Sequence, residues 1–263
     1  MNNNIEKGNN QLNADNRVEN VSIIILAAGL GTRMKSNMAK VLHKIIGKPM
    51  ISHVLVPACD VAGKNVIVVV GYQADRVKDA CLKVSPVFFA FQKEQRGTGH
   101  AVLCAMPEIP ATTENIIILC GDVPLLKTET IRALLDDHIN ENRDLSLLAV
   151  KLEDPTGYGR VVINENREFT RIVEEADATA AEKNISLVNS GIYCVSKAFL
   201  SASLQKITPD NAQGEFYLTD IIGVGYAMGK HIGVLVGSNP EEVSGVNTPA
   251  DLKAVETLMG ARC

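Results

Sequence analysis

Directly behind the apolar run VSIIILAA stand Gly29, Gly31, Thr32 and Arg33, with Lys40 seven residues beyond the arginine. Glycines let a turn close until successive backbone N–H groups face one anion. Arginine adds a forked donor, and lysine a movable point charge. That combination suits a phosphate group, the other reading being an ordinary β–α turn with solvated cations. G-x-G-T-R-M matches neither the P-loop G-x-x-x-x-G-K-[ST] nor the dinucleotide fingerprint G-x-G-x-x-G. Arg33, Lys35, Lys40, Lys44 and Lys48 fall within sixteen residues of a chain whose formal net charge is −4, so this positive cluster stands against an acidic background. Asp122 follows the run NIIILC and a glycine, which suits either a metal ligand at a strand's end or a common turn. Asn247 precedes a helix, where it suits a ligand or a cap, although Thr248 already fills the capping position. Gln92 suits a ligand-reading amide or a solvated loop residue. His100 enters a helical stretch and is read as packing. No Ser-His-Asp triad, activated cysteine or paired acid and base is apparent.

Such side chains need a scaffold, and the first 150 residues alternate between two patterns. Runs at 21–28, 65–70, 87–91, 115–120 and 144–150 are apolar on both faces, as strands sandwiched between helices must be. Helical periodicity lies between them. In KTETIRALLDDH, Ile131, Leu134, Leu135 and His138 share one stripe, with Thr128 as the expected N-cap. Pro57 is expected to kink or shorten the helix MISHVLVPACDVAG. The alternation predicts an α/β fold: a doubly wound, mostly parallel sheet with helices on both faces, whose ligands lie beyond the strands' carboxyl ends. After residue 150 the rhythm changes. VVI and FTRIVEE form a predicted hairpin across NENR, LVNSGIYCV a strand, and 216–228 a helix. In NTPADLKAVETLM, Thr248 caps, Pro249 opens the helix and Asp251 completes a capping box.

Composition narrows the classes. With 263 residues and 46% apolar content, the chain can bury one sizeable core or a core with a smaller lobe. The absence of a long basic run argues against nucleic acid, and no stretch approaches the roughly 18 apolar residues of a membrane span. Residues 1–20 hold eight asparagines and read as a disordered extension. The six cysteines form no C-x-x-C pair, which suits reduced thiols and a cytoplasmic protein.

The run LAAGLGTRMKSNMAKVLHKIIGKPMISHV resembles the signature of sugar-1-phosphate nucleotidyltransferases, and its short Arg33–Lys40 gap resembles the N-acetylglucosamine-1-phosphate uridylyltransferase branch. The likeness continues in order through EQRGTGHA, CGDVPLL, DPTGYGRVV, RIVEEADAT, VNSGIY, NAQGEFYLTDII and GVN, covering about residues 21–258. It implies the Rossmann-like nucleotide-diphospho-sugar transferase fold, with a nucleotide-binding half at about 21–150, a smaller sugar-binding lobe at about 151–247 and a tail at 259–263. Leu26, Ala27, Ala28, Gly29, Gly31 and Lys40 would line the nucleotide, together with Cys120, Gly121 and Asp122. Arg33 and Lys40 would face the phosphates as the catalytic pair. Gln92, Gly97 and Thr98 would read uracil, helped by a helix whose amino end is open. Asp122 and Asn247 would hold Mg²⁺. Gly159, Glu174, Asn189 and Asn247 would contact the sugar; neighbours on a strand face opposite ways, so only one of Glu174 and Glu175 can enter the pocket, and the match to the family's VEE selects Glu174. Tyr158 and Thr219 would wall the pocket.

The implied reaction joins UTP to N-acetylglucosamine 1-phosphate, giving UDP-N-acetylglucosamine and pyrophosphate for cell-envelope precursors. A nucleotidyltransferase for another sugar 1-phosphate, or a non-catalytic nucleotide-sugar-binding paralogue, are the rivals. No left-handed β-helix follows GARC, so either a separate acetyltransferase is expected to supply the acetylated substrate or the sequence is a fragment; a homo-oligomer is compatible with the sequence. Ala39 stands where the family usually has proline, which predicts a looser loop before Lys40.

Overall fold

The computed structural model describes residues 20–165 and 168–261. The asparagine-rich start, apart from Asn20, and the last two residues of the expected tail lie outside them. The first strand, β1 (Val21–Ala27), is buried on both faces, with Ile23, Ile24 and Ile25 fully enclosed. Full burial of an isoleucine side chain is worth roughly 1.5–3 kcal/mol, so three in a row secure this strand at the sheet's centre. Two two-residue strands follow, β2 (Lys44–Ile45) and β3 (Lys48–Pro49), then α1 (Met50–Ala62). Helix α1 runs unbroken through the buried Pro57, so the expected shortening does not occur. Next come β4 (Val66–Val70), α2 (Ala74–Leu82), β5 (Phe88–Phe91), α3 (Thr98–Ala105), β6 (Asn115–Cys120) and α4 (Thr128–Asn140). The N-cap of α4 is Lys127 rather than Thr128, whose hydroxyl instead donates to Asp60 Oδ2 at 3.2 Å. His138 on this helix is buried and meets Ser146 Oγ at 3.0 Å; burial pulls its pKa down to about 4.

The second half supplies β7 (Leu145–Lys151), β8 (Arg160–Ile163), β9 (Phe169–Val173), β10 (Leu187–Ser196), α5 (Lys197–Ser203), α6 (Asp220–Ala227), β11 (Ile232–Val236) and α7 (Pro249–Gly260). The main sheet runs β11-β7-β10-β6-β1-β4-β5, with the β8–β9 hairpin attached beside β10. Its pairings are parallel except around β10, which is antiparallel to both β6 and β7. Alternate residues feed two cores. Ile23, Ile25, Val68 and Leu119 pack beneath α1, α2 and α4; Ile24, Ile67, Val69 and Ile118 pack beneath α3, α5 and α6. A strand with two covered faces must read as continuously apolar, which is the pattern in VSIIILA and NIIILC.

Helix α6 starts at Asp220, four residues later than its periodicity suggests. The Phe216 N–H and C=O are bonded to Arg96 O and Gly99 N, both at 2.8 Å, so tertiary pairing holds 216–218 out of the helix. Among the described residues no helix is long and apolar enough to cross a membrane.

Candidate active site

From β1 the chain moves to β4 and β5 on one side, then returns to β6 on the other. The crevice between the carboxyl ends of β1 and β6 is therefore a topological switch point, where open α/β sheets bind ligands. Register pairs Leu26 with Cys120, so the glycine loop emerges beside Gly121 and Asp122. Gly121 donates its N–H to Leu26 O at 2.9 Å, and a Cβ there would lie 2.9 Å from the same oxygen, so only glycine lets the two strand ends approach this closely.

The loop itself is fixed by Gly31. Its φ of +65° lies in the left-handed region, and an added Cβ would meet Lys40 Cβ at 2.6 Å. The glycine turn is thus packed onto Lys40. Among the described residues no protein acceptor takes the N–H groups of Gly29, Leu30, Gly31 or Thr32. Ala27 and Ala28 have buried side chains, so they offer a ligand backbone only.

Four predicted residues converge. The Lys40 ammonium donates to Asp122 Oδ2 and, at 3.1 Å, to Asn247 Oδ1, which also accepts from Arg33 Nη2 at 2.8 Å. The last helix aims Asn247. Asp251 Oδ2 accepts from the N–H of Asn247 at 2.9 Å and of Thr248 at 2.8 Å, while Val246 N–H reaches back to Asp122 O at 2.9 Å. Val255 of α7 and Val246 pack with Met34 of the glycine loop, closing the arrangement from below. The expected looseness before Lys40 is absent. Ala39 has φ −54° and ψ 134°, a conformation proline also adopts, and Gln73 Oε1 accepts its N–H at 3.0 Å. Gln73 Nε2 in turn binds Asn37 O at 2.8 Å, so hydrogen bonds restrain the loop where a ring would.

Beside this cluster opens a cavity of about 370 Å³ whose wall includes Arg33, Asp122, Gly159, Glu174, Asn189 and Asn247. Tyr158 also lines it. Thr219 acts one step back, donating to Glu174 Oε1 at 3.2 Å. Gly159 must be small, because a Cβ would sit 3.1 Å from Glu174 Oε2 and 2.8 Å from Ile172. Glu174 and Glu175 lie just past the end of β9 rather than on it, yet they do diverge. Glu175 pairs with the fully buried Arg160 at 2.7 Å and accepts from Gly157 N–H at 3.1 Å; the arginine's hydrogen bond holds its carboxyl low. Arg160 also donates to the carbonyls of Tyr158, which lines the cavity, and Lys183. A β-bulge in β10 aims Asn189, whose Oδ1 accepts from Gly191 N–H at 2.8 Å and Tyr193 Oη at 3.0 Å, leaving Nδ2 as a donor. Gly191 has φ +77°, and a Cβ would meet Cys120 Sγ at 2.8 Å. Burial pushes the Cys120 thiol up to about 12, so this cysteine is a packed wall and not a nucleophile.

Burial likewise raises the Glu174 carboxyl. A folded-state value above the unfolded one means that stability falls as pH rises through it, and the ionised group is a liability at neutral pH. Glu174→Gln is therefore expected to raise the melting temperature at pH 7.5 by about 2–4 °C. The gain should shrink as pH falls towards the raised value. Melting curves across pH test this, and an unchanged or lower midpoint at pH 7.5 contradicts it.

Gln92, Gly97 and Thr98 form a separate group at the carboxyl end of β5, where Gln92 N–H bonds Val70 O at 2.9 Å. Gln92 is 3% exposed, so it is not a solvated loop amide. Nor is the amino end of α3 fully open: Gly99 N–H is bonded to Phe216 O, and Thr98 Oγ1 accepts from Leu218 N–H at 3.0 Å. A larger cavity of about 840 Å³ lies between α1 and α2, lined by Lys48, His53, Val56, Arg76 and Lys83. It contains none of the predicted site residues. The sequence reading passed over Arg160, Gly191 and Asp251. Asp251 was visible as a capping residue, but its bond to the Asn247 N–H was not.

Residues 23–186 match the MobA-like NTP transferase domain family. The bifunctional protein GlmU of Caldanaerobacter subterraneus subsp. tengcongensis is 44% identical over 245 residues, 93% of this chain and 53% of that protein. GlmU of Desulfotalea psychrophila is 42% identical over 242 residues, 92% of this chain and 71% of that protein. The chain thus spans about half the length of the first of these relatives. Among solved structures, HddC from Yersinia pseudotuberculosis superposes with a TM-score of 0.67 at 22% identity, over 90% of this chain and 99% of that one, which establishes the shared fold.

Proposed function

Because the chain belongs to the MobA-like NTP transferase domain family, we propose that it transfers UMP from UTP to N-acetylglucosamine 1-phosphate, releasing pyrophosphate. The observation that carries this reading is the meeting of Arg33, Lys40, Asp122 and Asn247 at the mouth of a cavity furnished by Glu174 and Asn189. The kinship with the GlmU proteins supports the choice of substrates.

Asp122 and Asn247 fit a magnesium ion. Their side-chain oxygens touch one ammonium group, so both can reach a single cation, and Mg²⁺ prefers one or two protein oxygens beside substrate phosphates and waters. Among the described residues no three His, Cys, Asp or Glu side chains gather into an all-protein metal cage. When bound, the ion would neutralise charge on the nucleotide's phosphates.

The chain's own groups do the rest. The open N–H row from Gly29 to Thr32 receives phosphate oxygens, and Arg33 and Lys40 spread their charge over them. Glu174 accepts from sugar hydroxyls, while the Asn189 Nδ2 donates to the N-acetyl carbonyl. A phosphate monoester has a second pKa of about 6, so the attacking oxygen is already anionic and needs no base. What must be overcome is repulsion between polyanions, about 4 kcal/mol for each pair of unit charges 4 Å apart at an effective dielectric near 20. Aligned cations and backbone donors offset it.

Pyrophosphate release measured against four nucleoside triphosphates and a panel of sugar 1-phosphates tests the proposal. UTP with N-acetylglucosamine 1-phosphate should give the highest kcat/KM. A different preferred sugar would assign another nucleotidyltransferase, and ligand binding without Mg²⁺-dependent turnover would make the chain a binding paralogue.

A further inference from the structure

We propose that His100 is a positioning residue that fixes which end of the Gln92 amide faces the base, and so makes the protein select uracil over cytosine. This rests on the uridylyl reading above. Gln92 Nε2 lies 3.1 Å from Gly97 O and 3.1 Å from His100 Nδ1. The carbonyl can only accept, so Nε2 must be the nitrogen and must donate. The second amide proton then goes to His100 Nδ1, which must carry a lone pair. The other ring nitrogen, 3.8 Å from Cys104 Sγ, holds the proton.

Both protons of the Gln92 amide are thereby used. Its Oε1 accepts from no described residue, and although Gln92 is only 3% exposed, that oxygen is not among the buried polar atoms that lack a partner. The amide therefore presents an acceptor and no donor. Uracil carries N3–H on its pairing edge and would donate to that oxygen; cytosine carries a bare N3 and would repel it. A flipped amide would reverse the preference. Gly97 O and His100 Nδ1 together oppose the flip, and His100 is the partner that a side-chain substitution can remove.

The test is the ratio of kcat/KM for UTP to that for CTP in the full chain, with melting temperature as a control. His100→Phe keeps the ring and loses the acceptor; His100→Gln keeps polarity but places it near the position of Nε2. Both should lower the ratio about tenfold or more, mostly through a higher KM for UTP, since a lost acceptor allows the amide to turn. His100→Asn sets an oxygen close to the place of Nδ1 and should keep the ratio within about threefold of the wild type. An unchanged ratio in the phenylalanine and glutamine variants overturns the inference while leaving the uridylyl reading intact. So does an equal loss in all three. A wild-type protein indifferent between UTP and CTP removes the uracil reading and this inference with it.

Discussion

Lys40→Ala is expected to lower kcat by about 10²–10³-fold while the protein remains folded, the size of effect seen when one preorganised charge-stabilising donor is lost. The reason lies in how completely the side chain is placed. Its Cβ lies against Gly31 with no room for another atom, Ala39 before it is tied to Gln73, and its ammonium is directed at Asp122 and Asn247. A lysine held this way loses little entropy on meeting a phosphate, and in the proposed reaction its charge would act where repulsion between the substrates is greatest. The fold should tolerate the change, because the ion pair with Asp122 is partly solvated and Asp122 can be hydrated once alone. Lys40→Arg should rescue little, since a planar fork cannot replace a point charge between two oxygens. Pyrophosphate release and a melting curve on the purified variant check both halves. Turnover within about tenfold of the wild type would remove Lys40 from the catalytic machinery.

The parts of this site that were legible in the sequence share one property: their cause is local. VSIIILAA and NIIILC are apolar throughout because both faces are covered, and the residues just beyond them, Gly29 and Asp122, sit at carboxyl ends. The capping box on α7 is likewise written within four residues. What escaped the sequence has distant causes. Nothing in LVNSGIYCV announces that it runs antiparallel between two strands, or that its bulge at Ser190 and Gly191 turns Asn189 towards the cavity. Phe216 and Leu218 read as helix, but bonds to Arg96, Thr98 and Gly99 draw them out as a strap across the start of α3. Arg160 carries a charge yet is buried, because Glu175 and the Lys183 carbonyl, both well along the chain, meet it together with the neighbouring Tyr158 carbonyl. Chemistry was visible where single residues carry it, and geometry was hidden where pairs do.

Asp122→Asn tests the other half of the charge arrangement, and its two readouts should move in opposite directions. The amide keeps the shape of the carboxylate and leaves the backbone bond from Val246 N–H to Asp122 O in place, so the loop that carries Asn247 stays where it is. What disappears is one negative charge beside Lys40 and Arg33. Nucleotide binding without divalent metal should tighten, about three- to tenfold, because the site becomes more positive for a polyanion. Turnover in Mg²⁺ should fall by about 10³-fold, because a neutral amide is a much poorer partner for a hard cation than a carboxylate is. A residue that served only the fold would weaken both or neither. Calorimetry of UTP binding in chelator, set beside pyrophosphate release in Mg²⁺, distinguishes these cases, and a variant that binds more weakly yet turns over normally would refute the assignment of Asp122 as the metal's carboxylate.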